Sequence, residues 1–434
     1  MRSFFKKCVT MMLKLEAQLM LARHRPRIVA ITGTVGKTST KDAVFCALTP
    51  FFAVRKSEKS FNNDFGIPLT ILGLPTAGGN PLLWFKNIVL GFFRAFFSTA
   101  YPEWLVLEVG AGEPGDIKKF SGMLSPNIAV ITRFSEVPVH VEFFASPEAL
   151  ISEKRELAKA VKADGVLILG GDDEKVLALK SAFPDRRTIL YGTSTPADVR
   201  GSDYTPVYEN SNMSIFPVGV SFTVHIGAHS FPIALSGVLG AHLMQPVLAA
   251  FSVASALSLN ISRVAESFRG FVPPPGRMRL IQGANSSLII DDSYNASPVA
   301  MREALTALAS FDGSGRKIAV LGTMAELGGF GPKEHQKIGA LVARFATKLV
   351  IVGTLTEEIR LGALRSGMSP ENIRAFGTSK EAADALARDI RSGDAVLVKG
   401  SQSVHMERIV KALMQEPVRA KELLVRQESE WRDK

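Results

Sequence analysis

A glycine loop between an apolar run and a helical pattern, RPRIVAITGTVGKTSTKDAV, constrains this chain more than any other feature. Arg27 to Thr32 is rich in apolar and β-branched residues and reads as a strand, and TSTKDAVFCAL reads as the helix that follows. Gly33 and Gly36 let the backbone turn tightly, so that amides along Gly33, Thr34, Val35, Gly36, Lys37, Thr38 and Ser39 can face phosphate oxygens. Lys37 is placed to neutralise terminal phosphates, and the Thr38 hydroxyl to ligate Mg²⁺. The common phosphate-loop spelling wants glycine where Ile31 stands, so this is a shortened loop whose working part starts at Gly33. A plain glycine turn is the alternative, but G-K-T-S between a strand and a helix start argues against it.

The rest of the chain extends the same architecture. EWLVLEVG, NIAVITRF and GVLILGG are apolar runs of parallel-strand type, and PEALISEKRELAKAVKADG is helical. From Tyr204 to Leu235 the texture turns β-branched, aromatic and turn-rich, which predicts a small antiparallel patch. GAHLMQPVLAAFSVASALSL reads as a helix before the FVPPPG linker, Phe271 to Gly276. Beyond it SSLIIDDS, RKIAVLGT, TKLVIVGT, NIRAFGT and DAVLVKGS alternate with helical patterns and predict a second doubly wound sheet. The expected fold is α/β: a P-loop NTPase-like central domain (27–272) and a C-terminal Rossmann-like doubly wound domain (273–434), after a basic amphipathic extension (1–26).

Other candidates are weaker alone. Glu108 closes the strand expected beside the loop strand, where the Mg²⁺-holding acid of a phosphate-loop enzyme belongs. GAGEPG, Gly110 to Gly115, spells a dinucleotide fingerprint, but Pro114 interrupts it and a phosphate site already lies upstream. His140, and Lys154 with Glu156, read by themselves as an ordinary histidine and a solvated helix face. DDSYNASP, Asp291 to Pro298, sits at a strand end, where carboxylates and amides suit ribose, Mg²⁺ or an amine, or merely cap the next helix. KGSQS, Lys399 to Ser403, has the same ambiguity.

A net charge of +10 would suit nucleic acid, a membrane surface or an anionic substrate, but no run of five like charges exists, which speaks against a nucleic-acid tail. Two cysteines, Cys8 and Cys46, give neither a disulfide framework nor a metal spacing and point to a reducing cytoplasm. The first 27 residues suit an amphipathic helix packed on the body or touching a membrane, not a cleaved leader. Pro81 to Phe97 is strongly apolar but carries Lys86 and Arg94 and is shorter than the about 20 residues a span needs, so a buried or interfacial helix is expected. The pair makes peripheral attachment to the inner face of an anionic membrane an expectation.

Together the motifs resemble the Mur ligase family, ATP-dependent amide-forming enzymes of peptidoglycan precursor synthesis. The family's short loop GT-x-GKT-[ST] is GTVGKTST here. SFNNDFGIPLT (Ser60 to Thr70), DDSYNASP, VLGTMAELG with His335, and LVKGSQSVHME resemble the branch that adds D-Ala-D-Ala, and the likeness runs from about Arg27 to about Met414. The resemblance implies ATP and Mg²⁺ as cofactors, and a muramoyl-tripeptide and D-Ala-D-Ala as substrates joined through an acyl phosphate. It also implies Thr38, Glu108, His140 and a carbamoylated Lys154 at the metals, with Lys37, Lys154 and His140 catalytic. Arg277, Asp292 and Asn295 would touch ATP, and Asn62, Asn63, Glu326, His335, Lys399 and Ser401 the substrates. A monomer is expected. Departures are Pro246, in place of an asparagine that often touches adenine, and Gly171, where the family commonly has N-x-DD. Only about 26 residues precede the loop strand, so the family's uridine-binding domain is expected to be lacking. Another amide ligase of the superfamily, or a membrane-associated nucleotide-binding protein without ligase activity, are the competing expectations.

Overall fold

The two rhythms form two sheets. The computed structural model describes residues 2–58, 61–194, 196–211, 214–428 and 431; Ser60, which opens the SFNNDFGIPLT motif, lies outside them. Strands β1 (Arg27–Thr32), β2 (Val54–Lys56), β3 (Trp104–Glu108), β4 (Ile128–Ile131), β5 (Val166–Gly170), β6 (Arg187–Gly192), β7 (Val199–Ser211), β8 (Ser214–Ile226) and β9 (His229–Ser236) make the first. Their order is β2-β3-β1-β4-β5-β6-β7-β8-β9. Pairing is parallel from β2 to β7 and antiparallel through β7, β8 and β9, where the turn-rich texture begins.

Helices α1 (Arg2–His24), α2 (Lys37–Leu48), α3 (Gly66–Leu72), α4 (Pro81–Phe97), α5 (Asp116–Leu124), α6 (Pro147–Lys159), α7 (Glu174–Ala182) and α8 (Met244–Ala256) cover this sheet. Both faces are therefore dry, and alternate residues of β1 feed opposite cores: Val29 and Ile31 one, Ile28 and Ala30 the other. This explains why the strands read as unbroken apolar runs rather than alternating ones.

The second sheet contains β10 (Arg279–Gly283), β11 (Ser287–Asp292), β12 (Lys317–Gly322), β13 (Lys348–Val352), β14 (Ile373–Phe376) and β15 (Ala395–Lys399), in the order β10-β11-β15-β12-β13-β14. The five expected strands are parallel. The sixth, β10, is an antiparallel edge strand that its polar sequence concealed. Also unread were β2, three half-buried residues, and β6, which opens on an exposed arginine.

Topology places the chemistry. β1 lies between β3 and β4, so the chain departs to opposite sides around it and a crevice opens above its carboxyl end. Register brings Ile31 level with Glu108, and in the second sheet Asp292 level with Lys399.

Helix α1 docks through Val9, Leu13, Ala17 and Met20, spaced for one helical face. Helix α4 buries only Asn87, Gly91 and Ala95, a ridge of small residues with α-helical spacing. It is thus not a buried helix. Most of its larger apolar residues point outward, and no helix among the described residues is long and apolar enough to cross a membrane. A Cβ at Gly91 would stand 2.1 Å from Glu16 Oε2, so the glycine is what lets α4 approach α1.

Burial at this contact raises the Glu16 carboxyl to about 7. A raised carboxyl pKa favours the folded state while the group is protonated. That contribution is complete below 4.5 and is lost as pH rises through 7. Glu16→Gln, fixed in the neutral form, should therefore gain on the wild type by roughly 1–3 kcal/mol between about pH 4.5 and about pH 8. Urea unfolding at several pH values checks this; a difference independent of pH would refute it.

Candidate active site

The loop after β1 has the backbone its glycines promise. Gly33 (φ 147°) and Gly36 (φ 81°) both lie in left-handed space. A Cβ at Gly33 would stand 2.0 Å from Thr132 Oγ1, whereas Gly36 faces open space where phosphate oxygens can approach. The Thr34 amide donates to Arg133 O (2.8 Å), fixing the loop to the chain after β4. Lys37 Nζ donates to Gly33 O (3.0 Å), so its ammonium is folded over the cradle. Burial lowers its pKa, with Glu108 opposing and Arg277 adding to the effect. Thr38 Oγ1 donates to Glu108 Oε2 (2.9 Å), and Asn62 Nδ2 donates to Glu108 Oε1 (3.0 Å). Both oxygens of this buried carboxylate are thereby oriented.

The second sheet closes onto this group. Arg277 Nη2 donates to Thr38 Oγ1 (3.2 Å), and its guanidinium lies 4.2 Å from the Tyr294 ring centroid. Its Nε is buried without a partner among the described residues, a donor left for something that enters the cleft. Lys399 Nζ donates to Asp292 Oδ2 (2.5 Å) and to Asn295 O (2.9 Å), fixing the start of DDSYNASP. Asp291 beside it is fully buried, which raises its carboxyl to about 6. Between the sheets lies a cavity of about 750 Å³ lined by the glycine loop, Asn62, Glu108, His140, Lys154, Arg277, Asp292, Asn295 and Lys399, among others. Lys154, 3% exposed, has its pKa pulled well below the lysine range by burial and then by the charge of Lys37.

Other sequence candidates serve the walls. His140 Nδ1 meets Glu326 Oε2 across the cleft at 2.6 Å, and the hydrogen bond holds the Glu326 carboxyl below its ordinary range. Both residues have left-handed backbones, φ 72° and φ 63°. His335 is buried, with Nε2 accepting from the Met324 amide (3.0 Å) and Nδ1 2.7 Å from Gly331 O. Ser401 Oγ accepts from the Ala325 amide (2.8 Å). These two therefore hold the loop that carries Glu326 and do not themselves line the cavity. Asn63 Oδ1 accepts from the Phe65 and Gly66 amides at the start of α3. In GAGEPG the Gly112 and Glu113 amides donate to Asp116, the Gly115 amide to Glu153 and the Gly110 amide to Asn62 O, so the amides a dinucleotide would need are already engaged.

Comparison with known proteins agrees with this arrangement. The Mur ligase middle domain matches residues 86–254, and the Mur ligase glutamate ligase domain matches residues 276–402. A UDP-N-acetylmuramoyl-tripeptide–D-alanyl-D-alanine ligase from Mycobacterium leprae is 32% identical over 89% of this chain and 73% of its own. The chain belongs to the Mur ligase family. The ligase of the same name from Bacillus subtilis is 29% identical, over 90% of this chain and 77% of its own. Among solved structures, MurF from Acinetobacter baumannii superposes with a TM-score of 0.75 at 24% identity, covering 93% of this chain and 80% of its own. MurF from Thermotoga maritima, solved in complex with ADP, gives 0.74 at 24% identity, covering 95% and 84%.

Sequence reasoning missed one polar corner of this Mur ligase. Asp172, just past β5, accepts from the backbone and side chains of Thr193 and Ser194, and from Gln245 Nε2 at 2.7 Å. Asp172, Thr193 and Gln245, the last one residue before Pro246, all line the cavity. The signal was available: the acidic pair in GGDDE stands at the carboxyl end of a strand, as does the pair in DDSYNASP. Arg133 and Glu303 were also unread; their 2.7 Å ion pair joins the two halves.

The buried Lys399–Asp292 pair makes a testable demand. Lys399→Met leaves a carboxylate without its cation and should cost about 3–5 kcal/mol in denaturant unfolding, whereas adding Asp292→Asn should recover part of that loss. Additive losses would show the pair is uncoupled.

Proposed function

We propose that this Mur ligase uses ATP to add D-Ala-D-Ala to a muramoyl-tripeptide, releasing ADP and phosphate. The observation that carries the reading is the convergence of Lys37, Thr38, Glu108 and Lys154 with Arg277 and Asn295 on one cavity between two sheets. The activity for which the matched relatives are named supplies the two substrates.

The chemistry follows from charge and water. Condensing a carboxylate with an amine in water is uphill, so the γ-phosphate is first transferred to the tripeptide carboxylate. Lys37, folded over the loop, and Arg277, reaching across the cleft, face the charge that develops during this transfer. The D-Ala-D-Ala amine then attacks the acyl phosphate carbon, and phosphate leaves with the C–O electron pair. Contacts such as Arg277–Thr38 and Arg133–Glu303 close the halves and exclude water that would hydrolyse the intermediate. Asn62, tied to Glu108, would meet the muramoyl substrate from the α3 side of the cleft.

Mg²⁺ prefers oxygen donors and keeps waters and phosphate oxygens. The Thr38 hydroxyl and Glu108 carboxylate suit it, and no group of three or more His, Cys, Asp or Glu able to hold a metal occurs among the described residues. When bound, the ion would screen the repulsion between phosphate and carboxylate oxygens. His140 reaches the same cavity, with Nδ1 committed to Glu326 in this closed arrangement. Lys154 has the environment a carbamate needs, because a depressed pKa supplies the neutral amine that attacks CO₂.

Phosphate release with ATP, Mg²⁺, D-Ala-D-Ala and a panel of muramoyl-tripeptides tests the activity. Turnover is expected with at least one acceptor and loss of at least about a hundredfold in Lys37→Ala. ATP binding without turnover on any acceptor would instead support a nucleotide-binding protein. For Lys154, ¹³C-bicarbonate should give a carbamate carbon signal that Lys154→Arg lacks; the same signal in both proteins excludes that site.

A further inference from the structure

Helices α1 and α4 carry fourteen of the twenty-one exposed large hydrophobic side chains among the described residues. Leu82, Phe85, Phe93 and Phe97 on α4 are 79%, 66%, 55% and 67% exposed, and Met11 and Leu15 on α1 are 59% and 54%. The two helices pack against each other, which brings their exposed apolar side chains to neighbouring parts of the surface. Such a concentration on one face marks an interaction site rather than ordinary surface.

Charge indicates the partner. The exposed charged residues of the two helices, Lys6, Lys7, Arg23, Lys86 and Arg94, are all basic. Their one acid, Glu16, is buried in the contact between them. A second copy meeting this face about a two-fold axis would set these cations against their own equivalents. Apolar side chains that enter the acyl boundary, ringed by cations that meet anionic headgroups, suit a lipid surface instead. Neither helix is long and apolar enough to span, so the contact is one of lying on the surface.

We propose that the α1–α4 face binds an anionic bilayer surface. The face also adjoins the cleft. Lys14 of α1 pairs with Asp64 at 2.6 Å, and Phe65 packs on Trp84 of α4 with ring centroids 5.2 Å apart. Asp64 and Phe65 directly follow the Asn62–Asn63 loop, whose Asn62 is bonded to Glu108. Docking therefore turns the α3 side of the cleft toward the lipid. This inference is independent of which substrates the cleft takes.

Co-sedimentation of the full-length protein with phosphatidylglycerol-containing and pure phosphatidylcholine vesicles tests it. Binding should favour the anionic vesicles by at least about tenfold and should weaken as salt rises from about 0.05 M to about 0.5 M. Phe85→Ser/Phe93→Ser/Phe97→Ser, all at exposed positions, should lose at least about tenfold in vesicle binding with an unchanged thermal midpoint. Lys6→Glu/Lys7→Glu/Lys86→Glu should abolish the preference for anionic lipid. No vesicle binding by the wild type, equal binding to both vesicle types, or unchanged binding by the serine variant would each overturn the proposal. So would a concentration-dependent dimer in sedimentation velocity that the serine variant dissociates while vesicles are ignored.

Discussion

One hydroxyl ties the cleft together. Thr38 Oγ1 donates to Glu108 at the end of β3 and accepts from Arg277, which belongs to the chain entering the second sheet. Glu108 in turn accepts from Asn62, so four distant segments meet within two hydrogen bonds of one atom. Everything else at the site is arranged around this point. The loop glycines set where Thr38 begins its helix, register sets where Glu108 ends its strand, and the second sheet must close for Arg277 to reach.

The burial of charge is the common physical theme. Lys37, Lys154, Glu108, Asp292 and Lys399 are gathered where water is scarce, and each is either paired or shifted in pKa by its surroundings. Such an environment strengthens electrostatic interactions with a polyanion and lowers the cost of reorganising the site when it reacts. It also makes any buried charge without a partner expensive, which is why Lys399 is held against Asp292.

How much of this was legible depended on whether a signal was local. The glycine loop, the parallel strands and the two-sheet division were written in contiguous residues, because strands buried on both faces must be apolar throughout. Glu108 could be placed because it ends such a strand. Lys154 and His140 could not be separated from surface residues without the family resemblance, since the burial of Lys154 and the Glu326 partner of His140 come from chain segments far away. The edge strand β10 and the Asp172–Gln245 corner escaped for the same reason: RLIQG is too polar to announce a strand, and the Gln245 contact spans 73 residues. The apolar α4 was recognised, but not that a small-residue ridge would seat it with its bulk turned outward.

His140 and Glu326 meet across the cleft from backbones that side-chain-bearing residues rarely adopt. Each such conformation costs of the order of 1–3 kcal/mol, sustained only by the packing around it. Part of what the contact gains is therefore already spent in bending both loops to reach it, and separation lets both relax. Strain in the two loops therefore subtracts from what closure gains, and the His140–Glu326 contact holds the halves together by less than its 2.6 Å separation alone would give.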